Sequence, residues 1–127
     1  MSGVISVALG SVLGAIARYF VSGFVARRVG ETFPWGTLII NVSGAFLIGL
    51  FGGLAENSAS IFASPGPWLF AVTGFLGAYT TVSSFSLQTL TLARDGEGGR
   101  AGGYVVISVG LCLGAVTLGF ALAGLLK

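Results

Sequence analysis

The feature that most constrains this chain is where its few charges fall. Its 127 residues carry only six basic and four acidic side chains. Apart from Arg18 and Lys127, these lie in three places: Arg27 to Glu31, Glu56, and Arg94 to Arg100. Apolar stretches run between them, at about residues 3 to 25, 36 to 54, 67 to 92 and 101 to 126. A membrane-spanning helix needs about 20 apolar residues, and each stretch supplies roughly that number. Charged residues make up 8% of the chain, against about 25% in ordinary soluble domains. So few charges cannot cover the surface of a small soluble domain. The sequence therefore predicts an all-α membrane protein, a single transmembrane domain over residues 1–127 with four transmembrane helices and lipid as the main solvent.

The connections are short: Arg27 to Pro34, Glu56 to Pro67, and Arg94 to Arg100. Turn formers fill the middle one (Asn57, Ser58, Ser60, Ser64, Pro65 and Gly66). None can hold a soluble domain, so function has to lie within the membrane region. No Lys or Arg precedes the first apolar run, and it leads straight into further spans, so it does not read as a signal peptide. Pro34 and Trp35 open the second span, where a Pro costs little, and Trp35 and Trp68 suit the headgroup interface.

Histidine is absent and Cys112 is the one cysteine. That excludes His-based catalysis and any Cys/His metal cluster, and no residue pattern suggests an enzyme. The net charge of +2 is scattered, with no nucleic-acid footprint. Glycine is abundant, at 22 residues. Small residues let membrane helices approach closely, so Gly10 with Gly14, Ala45 with Gly49 and Gly53, and Gly110 with Gly114 read as packing faces.

Polar groups inside the apolar runs are costly and therefore informative. Arg18 lies inside the first span; it either snorkels toward the loop at Arg27 or places a fixed positive charge at the mouth of an aqueous vestibule. Thr37 and Asn41, four apart, share a helix face. The Asn41 amide is either interhelical glue or a donor to an anion in a narrow pore. The third span reads T-G-F-L-G-A-Y-T-T-V-S-S-F-S from Thr73, with five hydroxyl residues between Thr80 and Ser86. Such a run is either a soft kink or a broken helix, whose irregular backbone is tolerated only where protein or water satisfies it. Tyr104, Ser108 and Cys112 form a stripe on the fourth span. Together with Asn41 and the hydroxyls after Gly77, it makes a polar track across the bilayer. No carboxylate lies in mid-span, and a proton-coupled pump needs one.

Three motifs make the reading more specific: G-x-x-L-G-A-x-x-R-Y at Gly10 to Tyr19, P-W-G-T-L-x-x-N at Pro34 to Asn41, and T-G-F-L-G-x-x-T-T-x-S-x-F-S at Thr73 to Ser86. In this order and spacing the chain resembles the Fluc/CrcB fluoride channels over essentially its whole length. The resemblance implies a passive, fluoride-selective channel in the bacterial inner membrane that exports fluoride and lowers its toxicity. It implies an antiparallel dimer with two pores along the subunit interface and a third helix broken near Gly77 to Thr80. A structural sodium ion at the dimer centre would be held by the backbone carbonyls of Gly77 and Thr80. The pore residues it implies are Asn41, Phe85, Thr37, Ser108 and Tyr104, with Ser84 and Cys112 on the same track and Arg18 at the vestibule. Fluoride is strongly hydrated, so a selective pore has to replace its water with good donors: the Asn41 amide, the hydroxyls and the positive edge of the Phe85 ring. Two departures stand out: Val82 replaces a Phe usual in the family, and Cys112 stands where a hydroxyl is common.

The basic residues Arg27, Arg28, Arg94 and Arg100 cluster on one side, which by the positive-inside rule favours both termini outside. A dual-topology homodimer wants little bias. The expectation is an antiparallel homodimer, with a heterodimer with a homologous subunit as the other arrangement. The competing functions are a small four-helix proton-coupled multidrug or cation antiporter, which the missing mid-span acid opposes, and a membrane scaffold, which would not need the polar break.

Overall fold

The computed structural model describes residues 1–126, and among them the fold is entirely helical. Helix α1 spans Ser2–Val29 and stops at Gly30, whose φ of 79° favours a residue without a Cβ. Helix α2, Trp35–Ala55, starts immediately after Pro34. The next loop contains a single 3-10 turn, Ile61–Ala63, capped by the Ser60 hydroxyl, which accepts from Phe62 N–H at 3.3 Å.

The third apolar run is not one regular helix. Its first part, α3, covers residues 65–79: it opens as Pro65–Trp68, widens into a π-helix over Leu69–Leu76 and closes with the turn Gly77–Tyr79. Thr80 and Thr81 are extended, at φ/ψ of −75°/159° and −152°/118°. Helix α4, Val82–Arg94, then restarts, with the Thr81 hydroxyl accepting from Ser84 N–H at 3.2 Å as its N-cap. Helix α5, Gly98–Leu125, follows a turn in which Gly96 has a φ of 78°. The expected break is therefore present, centred on Thr80 and Thr81 just after the Gly77 turn.

Three helices, α1, α2 and α5, are long and apolar enough to cross a membrane. Their outward side chains are large and apolar, among them Leu9, Leu13, Phe20, Val106, Leu113 and Leu118. Water would penalise that surface and lipid does not. Trp35 and Trp68 stand near the starts of α2 and of the π segment, at the ends of apolar runs.

Two close helix contacts organise the chain. Helix α1 lies against the π segment, where a Cβ on Gly10 or Gly14 would run into the backbone of Phe70 or Phe75. Helix α2 lies along α5, with Gly49 over the Val116 carbonyl and Gly119 over the Phe46 carbonyl. Contact this close is how small residues hold membrane helices together. Gly110 and Gly114 behave differently from the sequence expectation: nothing in the chain lies within 4 Å of a Cβ built on either, so they are not packing positions within this subunit.

Candidate functional site

The break is held by side chains from the other helices. Asn41, on α2, accepts from Thr81 N–H through Oδ1 at 2.8 Å and donates from Nδ2 to the Thr81 carbonyl at 2.9 Å. Those two backbone groups have lost regular helical partners, and a buried orphan of either kind costs about 1–3 kcal/mol. Thr80 turns back on its own helix, its N–H and its hydroxyl both reaching the Leu76 carbonyl at 3.0 Å. Its carbonyl is met by Arg18 Nη1 at 3.4 Å. Arg18, half-buried, thus reaches the level of the break rather than the loop at Arg27. Tyr79 ties the end of α3 to α2 through a 2.9 Å hydrogen bond with Ser43.

A groove of about 360 Å3 opens beside the break. Asn41 and Ala45 line it from α2, Gly77, Thr80 and Thr81 from the break, Val82 and Phe85 from α4, and Ser108 and Cys112 from α5. Six of the residues expected at the pore or the cation site are thereby brought together: Asn41, Gly77, Thr80, Phe85, Ser108 and Cys112. Ser108 is only 6% exposed, and its hydroxyl has no hydrogen-bond partner. A buried hydroxyl left unpaired in a groove with one Asn41 N–H still free is a place built to take an acceptor from outside the chain. The other walls are mostly apolar, which strengthens any such interaction.

Tyr104, Thr37 and Ser84 lie off this groove. Tyr104 is fully buried, with Phe85 at 5.2 Å and Phe33 at 5.4 Å between ring centroids, and its hydroxyl donates to Gln88 Oε1 at 3.2 Å. Thr37 is buried beside the Tyr104 phenol, which also has Ser108 as a neighbour. Thr37 and Gln88 line a second, more polar cavity of about 530 Å3 between the end of α1, the start of α2 and the end of α4. Tyr104 therefore stands between the two cavities, with Thr37 on one side and Ser108 on the other. Ser84 joins the Thr81 cap, its hydroxyl taking a 3.2 Å hydrogen bond from Thr81 Oγ1. Sequence reading missed Gln88 and the second cavity, and held Thr81 only as one hydroxyl of the run after Gly77. Gln88 was the one signal available, a long polar side chain inside the third apolar run.

Comparison with known proteins agrees with this architecture. A family model described as "CrcB-like protein, Camphor Resistance (CrcB)" matches residues 5–120. The chain belongs to the CrcB family. It is 72% identical over 123 residues to a Bradyrhizobium diazoefficiens protein named "Fluoride-specific ion channel FluC 2", a match covering 97% of this chain and 90% of the relative. It is 65% identical to a protein of the same name from Rhodopseudomonas palustris, covering 99% and 96%. An Opitutus terrae "Fluoride-specific ion channel FluC" is 53% identical over 94% of this chain and 90% of its own length. With three helices long and apolar enough to cross a membrane, the chain is a multi-pass membrane protein, and its family is one of channels, not enzymes.

Proposed function

We propose that this chain is the subunit of a passive fluoride-selective channel that lowers cytoplasmic fluoride from the bacterial inner membrane. The observation that carries the reading is the groove: a nine-tenths buried, unpaired Ser108 hydroxyl and the free Asn41 N–H line the same space as the Phe85 ring. The Ser108 hydroxyl makes no hydrogen bond of good geometry, with the Tyr104 phenol beside it, and the second Asn41 N–H has no acceptor, which suits an anion. Fluoride gains most from them because its small radius binds donors tightly, so they offset more of its dehydration than they would for a larger halide. Among the described residues, no group of three or more carboxylate, Cys or His side chains could hold a metal ion, and no acid lies between the spans' ends to carry a proton. The names of the relatives support fluoride as the ion.

The assembly proposed is an antiparallel dimer of subunits that each cross the bilayer four times, the third crossing made by α3 and α4 together. The groove is open along one side in a single subunit, so a second copy would complete its wall. Numbered names such as FluC 2 and FluC 3 among the relatives leave room for a paired subunit as that copy. A sodium ion at the dimer centre would be held by carbonyls of Gly77 and Thr80, and hard oxygen donors suit it. The Gly77 carbonyl fits: its helical donor, Thr81 N–H, is taken by Asn41. The Thr80 carbonyl fits less simply, because it already faces Arg18. When bound, the ion supplies positive charge that offsets the negative carbonyl ends of the break.

Purified protein in liposomes is expected to pass fluoride, exclude chloride and need no pH difference. Equal fluoride and chloride flux, or flux that appears only with a proton gradient, would overturn the reading, and the second result would point to an antiporter.

A further inference from the structure

We infer that Asn41 is the positioning residue of the helix break, holding Thr81 so that α4 starts in the direction that brings Phe85 to the groove. The inference rests on the reading of that groove as the anion path. A helix end leaves N–H and C=O groups without partners. Water would satisfy them at a surface, but at membrane depth the protein has to do it. At Thr81 one side chain does both jobs: Asn41 accepts from the N–H and donates to the carbonyl, at 2.8 and 2.9 Å. Among uncharged side chains, only a carboxamide has an acceptor and a donor side by side in one rigid plane. A Ser or Thr hydroxyl would have to serve both groups from a single, shorter-reaching oxygen, and an ionised Asp could accept but not donate.

Two consequences follow along the chain. Held from its backbone, Thr81 stays extended, at φ −152° and ψ 118°, and its hydroxyl is free to cap Ser84 N–H. That cap sets the first turn of α4, and Phe85 stands at its end, against Tyr104 and along the groove. Asn41 therefore acts twice. One N–H and Oδ1 hold the break, and the second N–H is all that remains for an anion. The short, two-atom reach of Asn makes the two duties inseparable at this position.

The test is amide hydrogen–deuterium exchange over residues 78–86, measured beside fluoride flux, on wild-type, Asn41→Ala and Asn41→Asp protein in liposomes. Asn41→Ala is expected to speed exchange at Thr81 to Ser84 by about tenfold or more, with α5 unchanged, and to lower flux by a similar factor. Asn41→Asp keeps the acceptor for Thr81 N–H and loses the donor to the Thr81 carbonyl, so exchange at Thr81 to Ser84 should rise, by less than in Asn41→Ala, while flux is lost. Loss of flux in Asn41→Ala with exchange unchanged would make Asn41 a ligand only and overturn the inference. So would exchange at Thr81 faster in Asn41→Asp than in Asn41→Ala, or fast exchange in Asn41→Ala with flux intact. Should Asn41→Ala fail to fold, Asn41→Asp still decides: a wild-type exchange rate at Thr81 to Ser84 with the donor contact gone would overturn the inference. If wild-type protein passes no fluoride, the channel reading falls, while the exchange rates still report whether Asn41 holds the break.

Discussion

Helices α2 and α5 on one side, and α3 with α4 on the other, face the same lipid and meet its demand in opposite ways. The α2–α5 pair keeps its backbone hydrogen bonds within each helix and gains close packing from Gly49 and Gly119. The α3–α4 pair gives up two residues of helix and widens another eight into a π-helix. Its freed groups are then met by Asn41, Arg18 and the Thr81 hydroxyl. Regular helices hide their polar backbone and offer no ligand site. A break exposes that backbone, and whatever is left over after the neighbours have taken their share can face a groove. The regular pair is the frame and the irregular pair is the device, and the frame supplies the Asn41 that keeps the device in shape.

Breaking the frame should have the largest effect. Gly49→Ala places a Cβ on the Val116 carbonyl, and backbone cannot move aside as a side chain can. Overpacking of this kind costs about 1–3 kcal/mol, and more where backbone has to shift. The expected outcome is a large loss of monodisperse protein on size-exclusion chromatography in mild detergent, with a lower unfolding temperature. Gly114→Ala is the control inside one subunit, because nothing in the chain stands near that position. Its subunit should fold normally. Equal losses from the two substitutions would mean that the α2–α5 contact is not what holds the frame.

A change on the device should leave the fold and reduce the flux. Phe85→Ile removes the ring that lines the groove and packs on Tyr104, and keeps an apolar side chain of similar bulk. An aromatic edge contact is worth about 0.5–1.5 kcal/mol, which corresponds to a loss of up to about tenfold in flux per ring. The measurement is fluoride efflux from liposomes holding equal amounts of folded variant and wild type. Near-normal flux would remove the ring edge from the mechanism of this chain.

How much of this was legible in the sequence follows the same division. The frame was readable because spacing of charges and length of apolar runs are set by bilayer thickness, and the spans at 3 to 25, 36 to 54 and 101 to 126 match α1, α2 and α5 within a few residues. The break was readable as an anomaly, since five hydroxyls in an apolar run contradict a plain span. What the sequence could not reveal was partnership. Asn41 left glue and anion donor open, and the structure gives Oδ1 and one N–H to the first role and leaves one N–H for the second. For Arg18, distance along the chain points to the loop at Arg27, whereas its hydrogen-bond partner is 62 residues away at Thr80. Gly110 and Gly114 carried the same small-residue pattern as Gly10 and Gly14. Periodicity cannot tell a face turned toward a neighbour in the same chain from one turned outward.

The smallest expected effect falls on the device's one unfilled position. Val82 is the first residue of α4, is 77% exposed, and lines the groove with Asn41 and Phe85. Because it points out of its own subunit, Val82→Phe adds a ring without crowding anything in the chain, so folding should be unchanged. The consequence then depends on what covers the groove. In a homodimer both pores have Val at this position and Phe85 as their only ring along the groove wall, and a second ring edge should raise fluoride flux or fluoride-over-chloride selectivity by about two- to threefold. That gain is a fraction of one full aromatic contact. In a complex with a homologous partner subunit, Val82 can face a wall that the anion does not use, and the same substitution should change neither. Liposomes made with this subunit alone and with the co-expressed pair distinguish the cases. A gain in the first and none in the second fits a paired channel, and gains in both fit a homodimer that tolerates mixing. A tenfold loss in the subunit-alone liposomes would mean that the space beside Val82 is already filled by the second copy. The groove would then need its small residue there, and Phe85 would be the only ring it can hold.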